Sequence, residues 1–152
     1  MSLISRLGEN YKNLPDILAE YEKGLEFVED KIKIEGKRLE VANHQHASEQ
    51  FYYESRKADL HQLLKYFEGK TAAARGMLFR KYTEKYSREL SDRQKDKYID
   101  NEEEYLKQYE IYLEIKHIYE QYEAVCNAFL SRGYALNNIT KIRVASLEDV
   151  II

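Results

Sequence analysis

Proline occurs once in this chain, at position 15, and beyond it the strongest helix-disfavouring residues are Gly24, Gly36, Gly69, Gly76 and Gly133. Folds built from β-hairpins or long loops use Gly and Pro at their turns. One Pro and six Gly in 152 residues therefore point to an all-α protein. Charged residues make up 34% of the sequence, which leaves apolar side chains for seams between helices but not for a thick core. The expectation is an elongated, hairpin-like or coiled-coil-like helical subunit, and the length is that of a single domain, residues 1–152.

Asn13-Leu14-Pro15-Asp16 reads as a helix start, because Pro is tolerated in the first turn and an acid there favours the dipole. From Leu18 a four-three spacing holds through Tyr21, Leu25, Val28, Ile32, Leu39 and Ala42. The same register continues through His46, Glu49, Tyr53, Arg56, Leu60, Leu63 and Phe67. It predicts one long helix, or a bent helix pair, over residues 15–67, with Gly24 and Gly36 each weakening it by roughly 1 kcal/mol. Gly69 is then placed to close that helix as a left-handed cap.

Residues 70–99 lack a clear apolar period and read as a basic connector with short helices. Asp100-Asn101 opens a tyrosine-rich helix over residues 100–132, with Glu102, Glu103 and Glu104 in the first turn where carboxylates favour the dipole. Tyr105, Tyr109, Tyr112, Tyr119 and Tyr122 lie beside Ile111, Ile115, Ile118, Val125 and Phe129, which makes a wide buried face. Gly133 is expected to end this helix. Residues 134–152 form an apolar tail, and chain ends this apolar need something to dock on. Tyr134, Leu136, Ile139, Ile142 and Val144 are the expected oligomer contacts, with Leu147, Val150, Ile151 and Ile152 beyond them.

The net charge of −3 conceals a strong segregation. Residues 1–55 carry 7 basic and 11 acidic groups, residues 56–95 carry 11 and 5, and residues 96–152 carry 6 and 11. The middle band is thus net +6, and Tyr66, Phe67, Phe79, Tyr82 and Tyr86 interleave its cations. Single-stranded nucleic acid is bound by such mixtures, cations following the phosphates and rings stacking on bases. The expected contacts are Arg56, Lys57, Lys65, Tyr66, Lys70, Arg75, Arg80 and Lys81. The plainer alternative is a solvated basic face that pairs with the chain's own acidic stretches.

No catalytic pattern is present: there is no P-loop, dinucleotide fingerprint, Gly-x-Ser-x-Gly or Cys pair. The expectation is therefore a non-enzyme without cofactor or metal. His44 and His46 fall on different faces of a helix and are too few for zinc. Cys126, the only cysteine, lies on the apolar stripe and reads as a core residue in a reducing compartment. No run of 18 apolar residues predicts a membrane span, and the first residues lack the apolar stretch and cleavage site of a secretory signal.

Three pieces carry a family resemblance over roughly residues 50 to 143. The first is Tyr66-Phe67-Glu68-Gly69-Lys70 after a long helix, and the second is Asp96-Lys97-Tyr98-Ile99-Asp100 leading into the tyrosine-rich helix. The third and most specific is the block from Cys126 to Arg143, with Ser131-Arg132-Gly133-Tyr134-Ala135-Leu136 followed by Ile139, Ile142 and Arg143. Together they resemble the UvsY family, recombination mediators of T-even-type bacteriophages. The resemblance implies a small helical protein of the infected bacterial cytoplasm that assembles into a ring-like homo-oligomer. It further implies binding to single-stranded DNA without sequence preference, and partnership with a RecA-like recombinase of the UvsX type and with single-strand-binding protein. In the family, DNA contact is attributed to basic residues just before the aromatic–Gly turn. Here Leu60-His61-Gln62-Leu63-Leu64 is nearly uncharged, and the nearest cations are Lys65, Lys57 and Arg56 before the turn and Lys70 and Arg75 after it. The competing reading is a non-catalytic coiled-coil adaptor or structural oligomer that binds no nucleic acid.

Overall fold

The structure, a computed structural model, describes residues 2–145. Those residues are all-helical: Leu3–Arg6 (α1), a 3-10 turn at Glu9–Tyr11, Leu14–Lys23 (α2), Val28–Ile32 (α3), Leu39–Glu84 (α4), Asp92–Ile99 (α5) and Glu103–Val144 (α6). No helix among them is long and apolar enough to cross a membrane. Leu147, Val150, Ile151 and Ile152 of the expected tail lie outside the described residues.

The described chain divides into two compact units. The first takes the chain up to Leu14 and Asp59–Tyr119; the second takes Pro15–Ala58 and the chain from Glu120 on. Both α4 and α6 contribute to each unit.

In the first unit Leu60, Leu63, Phe67, Ala74 and Leu78 line one side of α4 at three-to-four spacing, and all are buried. Ile115 and Ile118 of α6 are buried as well. The His61 ring lies 5.7 Å from Tyr119, and the Thr71 hydroxyl donates to the Gln108 carbonyl at 3.3 Å, so here α4 and α6 pack antiparallel. Tyr11 closes this core edge-on to Phe67, with ring centroids 5.0 Å apart.

The apolar stripe also explains a departure at Gly69. This glycine does not cap a helix; α4 runs through it and through Gly76 to Glu84, and neither has a positive φ. Two helical glycines cost roughly 1 kcal/mol each. The buried face continues on both sides of them, and tertiary packing of such a face outweighs that cost. What looked like a basic connector over residues 70–99 is therefore the last turns of α4, a short loop and α5.

In the second unit the stretch read as one long helix or a bent helix pair over residues 15–67 has two breaks, one of them at Gly36 where weakening was expected. Residues Gly24–Phe27 form a turn in which Phe27 adopts φ 59°, and a second break spans Lys33–Arg38, where Gly36 has φ 75°. The ends of α2 and α3 then present carbonyls without intrahelical partners. Distant side chains satisfy them: the Tyr122 hydroxyl donates to Tyr21 O at 2.8 Å, Tyr53 to Gly24 O at 3.4 Å, and Arg132 Nε to Ile32 O at 3.1 Å. Tyr53 also stacks on Phe129, centroids 5.2 Å apart. Residues 15–34 thus fold back on α4 and α6 instead of extending α4 in line.

Gly133 does not end α6 either; the helix continues to Val144. A Cβ at Gly133 would stand 2.6 Å from His46 Nε2, so the missing side chain admits the imidazole. The expected separate tail from residue 134 is helix as far as it is described. Leu136, named as an oligomer contact, is buried in the chain's own core at 1% exposure. Ile139 is half-buried, while Tyr134, Ile142 and Val144 are exposed.

Candidate nucleic-acid interface

The eight contacts expected from sequence are divided between the two units. Arg56 and Lys57 belong to the second unit. The Arg56 guanidinium lies 4.1 Å over the Tyr21 ring, and its Nη2 pairs with Glu20 at 3.3 Å. An arginine held by a ring face and a carboxylate is engaged inside its own fold. Lys57 pairs with Glu54 at 2.7 Å.

The other six lie along α4 in the first unit. Lys65 is exposed and reaches Glu68 at 2.7 Å. Tyr66 is half-buried, edge-on to Phe67 and to Tyr11, and the Lys70 amino group sits 5.2 Å from its ring centroid. Arg75 spans two carboxylates of the same unit, Nη1 to Asp100 and Nη2 to Asp96, each at 2.9 Å. Asp100 first and then Asp96 raise its pKa, so it stays charged and bound to them. Its guanidinium also lies 5.4 Å from the centroid of Tyr105.

Tyr105 begins a ladder with Tyr109 and Tyr112, centroids 5.7 and 6.0 Å apart, and this ladder lines a hollow with Glu68, Thr71, Ala72 and Arg75. Lys81 reaches Glu102 at 3.3 Å, and the same carboxylate accepts a hydrogen bond from the Tyr82 hydroxyl. That bond, with burial second, pushes the Tyr82 phenol up to about 12, while Tyr82 and Lys81 hold Glu102 below the usual carboxylate range. Arg80 is exposed and makes no ion pair among the described residues.

Five of the seven expected cations are therefore spoken for by a carboxylate: Arg56, Lys57, Lys65, Arg75 and Lys81. Pairing inside the chain lowers what each offers a phosphate, since an existing contact must be exchanged. Sequence reasoning stopped at Lys81, but exposed cations continue as Lys85, Arg88, Arg93 and Lys97, none of them in an ion pair among the described residues. The signal for the first three was the basic band itself, which runs on to Lys95.

Other titratable groups are built into the core. The half-buried His46 Nδ1 lies 3.1 Å from Arg132 Nη1, which fixes the imidazole as acceptor, and the same guanidinium nitrogen reaches Ala42 O at 3.3 Å. His44 is exposed. Among the described residues no three His, Cys, Asp or Glu side chains converge as metal ligands do. Cys126 is buried, and burial pushes its thiol up to about 11, so little thiolate exists at neutral pH. Compared with known proteins, the chain matches no family model, no curated protein and no solved structure.

Proposed function

We propose that this chain is a non-catalytic, single-stranded-DNA-binding recombination mediator of the UvsY kind. The observation that carries the reading is the net +6 band at residues 56–95, whose later cations stay exposed and unpaired beside aromatic rings. The C-terminal block from Cys126 to Arg143 supports the family assignment. In this reading the protein works as a ring-like homo-oligomer in the infected bacterial cytoplasm. It holds single-stranded DNA by backbone charge and stacking, and helps a RecA-like recombinase displace single-strand-binding protein. Tyr134, Ile142 and Val144, exposed on α6, are the available part of the oligomer contact.

The test is fluorescence anisotropy of a labelled oligothymidine strand at low and at physiological salt, with native mass measured alongside. A mediator binds, weakens as salt rises because counterions are no longer released favourably, and has the mass of a closed oligomer. An absence of binding at low salt rejects the reading. It would favour the adaptor alternative, which the internal pairing of five expected cations supports.

A further inference from the structure

The first unit ends in a structure that neither the charge band nor the resemblance singles out. Past Glu84 the chain turns, and Ser91 caps α5 through a reciprocal box with Gln94: Gln94 N–H donates to Ser91 Oγ at 3.4 Å and Ser91 N–H donates to Gln94 Oε1 at 3.0 Å. Such a box fixes where a helix starts and which way it faces. Leu90, Lys95 and Ile99 are buried, which at helical spacing leaves Arg93, Gln94, Lys97 and Tyr98 facing outward.

Tyr98 thereby meets two rings from the preceding segment. It stacks on Tyr82 with centroids 5.5 Å apart and planes 21° apart, and lies 6.1 Å from Tyr86. Tyr82 and Tyr86 are 5.6 Å apart, so the three rings form a closed cluster. Tyr82 is the anchored member, held through its hydroxyl by Glu102. Tyr86 and Tyr98 are each 46% exposed. Rings that serve as a helix seam bury most of their surface; these two are held in place and left open.

The charges around the cluster are sorted. Its acids are partly offset: Arg75 bridges Asp96 and Asp100 and balances one of their two charges, Lys81 pairs with Glu102, and the buried Lys95 pairs with Asp92. Glu84 and Glu89 remain, against Arg80, Lys85, Arg88, Arg93 and Lys97, none of which is ion-paired among the described residues. Arg88 and Glu89 line one hollow with Tyr82 and Tyr86, of about 350 Å³, and Lys97 lines another with Tyr98 and Gln94. Open rings with cations on both sides are the arrangement that takes bases by stacking and the backbone by charge.

We propose that Tyr86 and Tyr98, supported from behind by Tyr82, are the base-stacking platform for single-stranded nucleic acid, and that Lys85, Arg88, Arg93 and Lys97 hold its phosphates. The proposal rests on the nucleic-acid reading above and moves the stacking contact away from Tyr66, which is half-buried between Tyr11 and Phe67.

The experiment uses the full chain and a labelled oligothymidine strand. Tyr86→Ala with Tyr98→Ala is expected to weaken binding about 5- to 150-fold for each ring that stacks on a base, while Tyr66→Ala, in a variant that keeps its fold, changes it less than twofold. Lys85→Ala with Arg88→Ala lowers the salt slope by about 0.7 for each phosphate contact removed. The chain has no tryptophan, so Tyr98→Trp adds a single indole at a solvent-open position, which red-edge excitation reads apart from the tyrosines and which is expected to be quenched when a base stacks on it. This keeps the test decisive if the double alanine variant misfolds. Wild-type binding with unchanged affinity in the double variant, or an unquenched tryptophan in a binding-competent chain, overturns the platform alone. Failure of the wild type to bind overturns the nucleic-acid reading and the platform with it.

Discussion

Each unit contains three clustered tyrosines and an arginine or lysine beside them, yet the two clusters are opposite in character. In the second unit Tyr21, Tyr53 and Tyr122 are 2%, 0% and 0% exposed, with centroids 5.7 Å apart for Tyr21–Tyr122 and 6.0 Å for Tyr53–Tyr122. The hydroxyls of Tyr53 and Tyr122 donate to backbone carbonyls at helix ends, and Arg56 covers Tyr21. In the first unit Tyr82, Tyr86 and Tyr98 are just as close, but one hydroxyl is tied to a carboxylate and two rings stay open. Ring proximity alone therefore says nothing about role. What separates a core cluster from a surface one is where the hydroxyls find partners: a buried phenol needs an acceptor from the fold, whereas an open one has water.

The sharpest way to break this comparison is to remove one ring from each cluster. Tyr122→Ala is expected to cost about 3–5 kcal/mol of unfolding free energy, because it opens a cavity and strips the Tyr21 carbonyl of its donor. Tyr86→Ala is expected to stay within about 0.5 kcal/mol. Urea unfolding of both variants checks the pair, and similar losses would mean the clusters are not different in kind. A smaller effect follows at Gly24, where a Cβ would stand 2.5 Å from the Tyr122 hydroxyl and 3.2 Å from the Tyr21 carbonyl. Gly24→Ala forces that buried hydroxyl to move and is expected to cost about 1–3 kcal/mol. A stabilised Gly24→Ala variant would show that the tyrosine is not tightly held.

The smallest effect is one of pH. Burial, and then the Arg132 guanidinium, hold the His46 imidazole below its ordinary value. The unfolded chain takes up that proton first, so the contribution is complete above the ordinary histidine value of about 6.5 and is lost as pH falls from there through the folded value. His46→Gln keeps an acceptor for Arg132 and removes the titration. Its stability is expected to fall less steeply than that of the wild type below about pH 6.5, as measured by urea unfolding across that range. Parallel curves would remove His46 from the account.

How much of this was legible beforehand varies with the range of the interaction. The buried register on α4 was readable, since Ala42, Tyr53, Leu60, Leu63 and Phe67 are all in the core. So was that on α6, where Ile115, Ile118, Tyr122, Val125 and Phe129 recur at helical spacing and are buried. The candidate interface was legible only as a band. The cations were countable, but their partners are remote in sequence: Glu20 for Arg56, Asp96 and Asp100 for Arg75, Glu102 for Lys81. Tyr98 joins Tyr82 and Tyr86 only because a capped α5 turns it toward them.

By itself, then, the sequence determined an all-helical chain, the face each long helix buries and the segregation of its charge, because period, propensity and composition act over a few residues. Tertiary structure decided where helices stop and which rings are core. Gly69 and Gly133 sit inside α4 and α6, while a convincing seam breaks between Gly24 and Arg38. Both outcomes have one cause. A helix persists through a glycine where its buried face continues, and it ends where side chains from elsewhere, here Tyr122, Tyr53 and Arg132, satisfy the carbonyls that ending exposes.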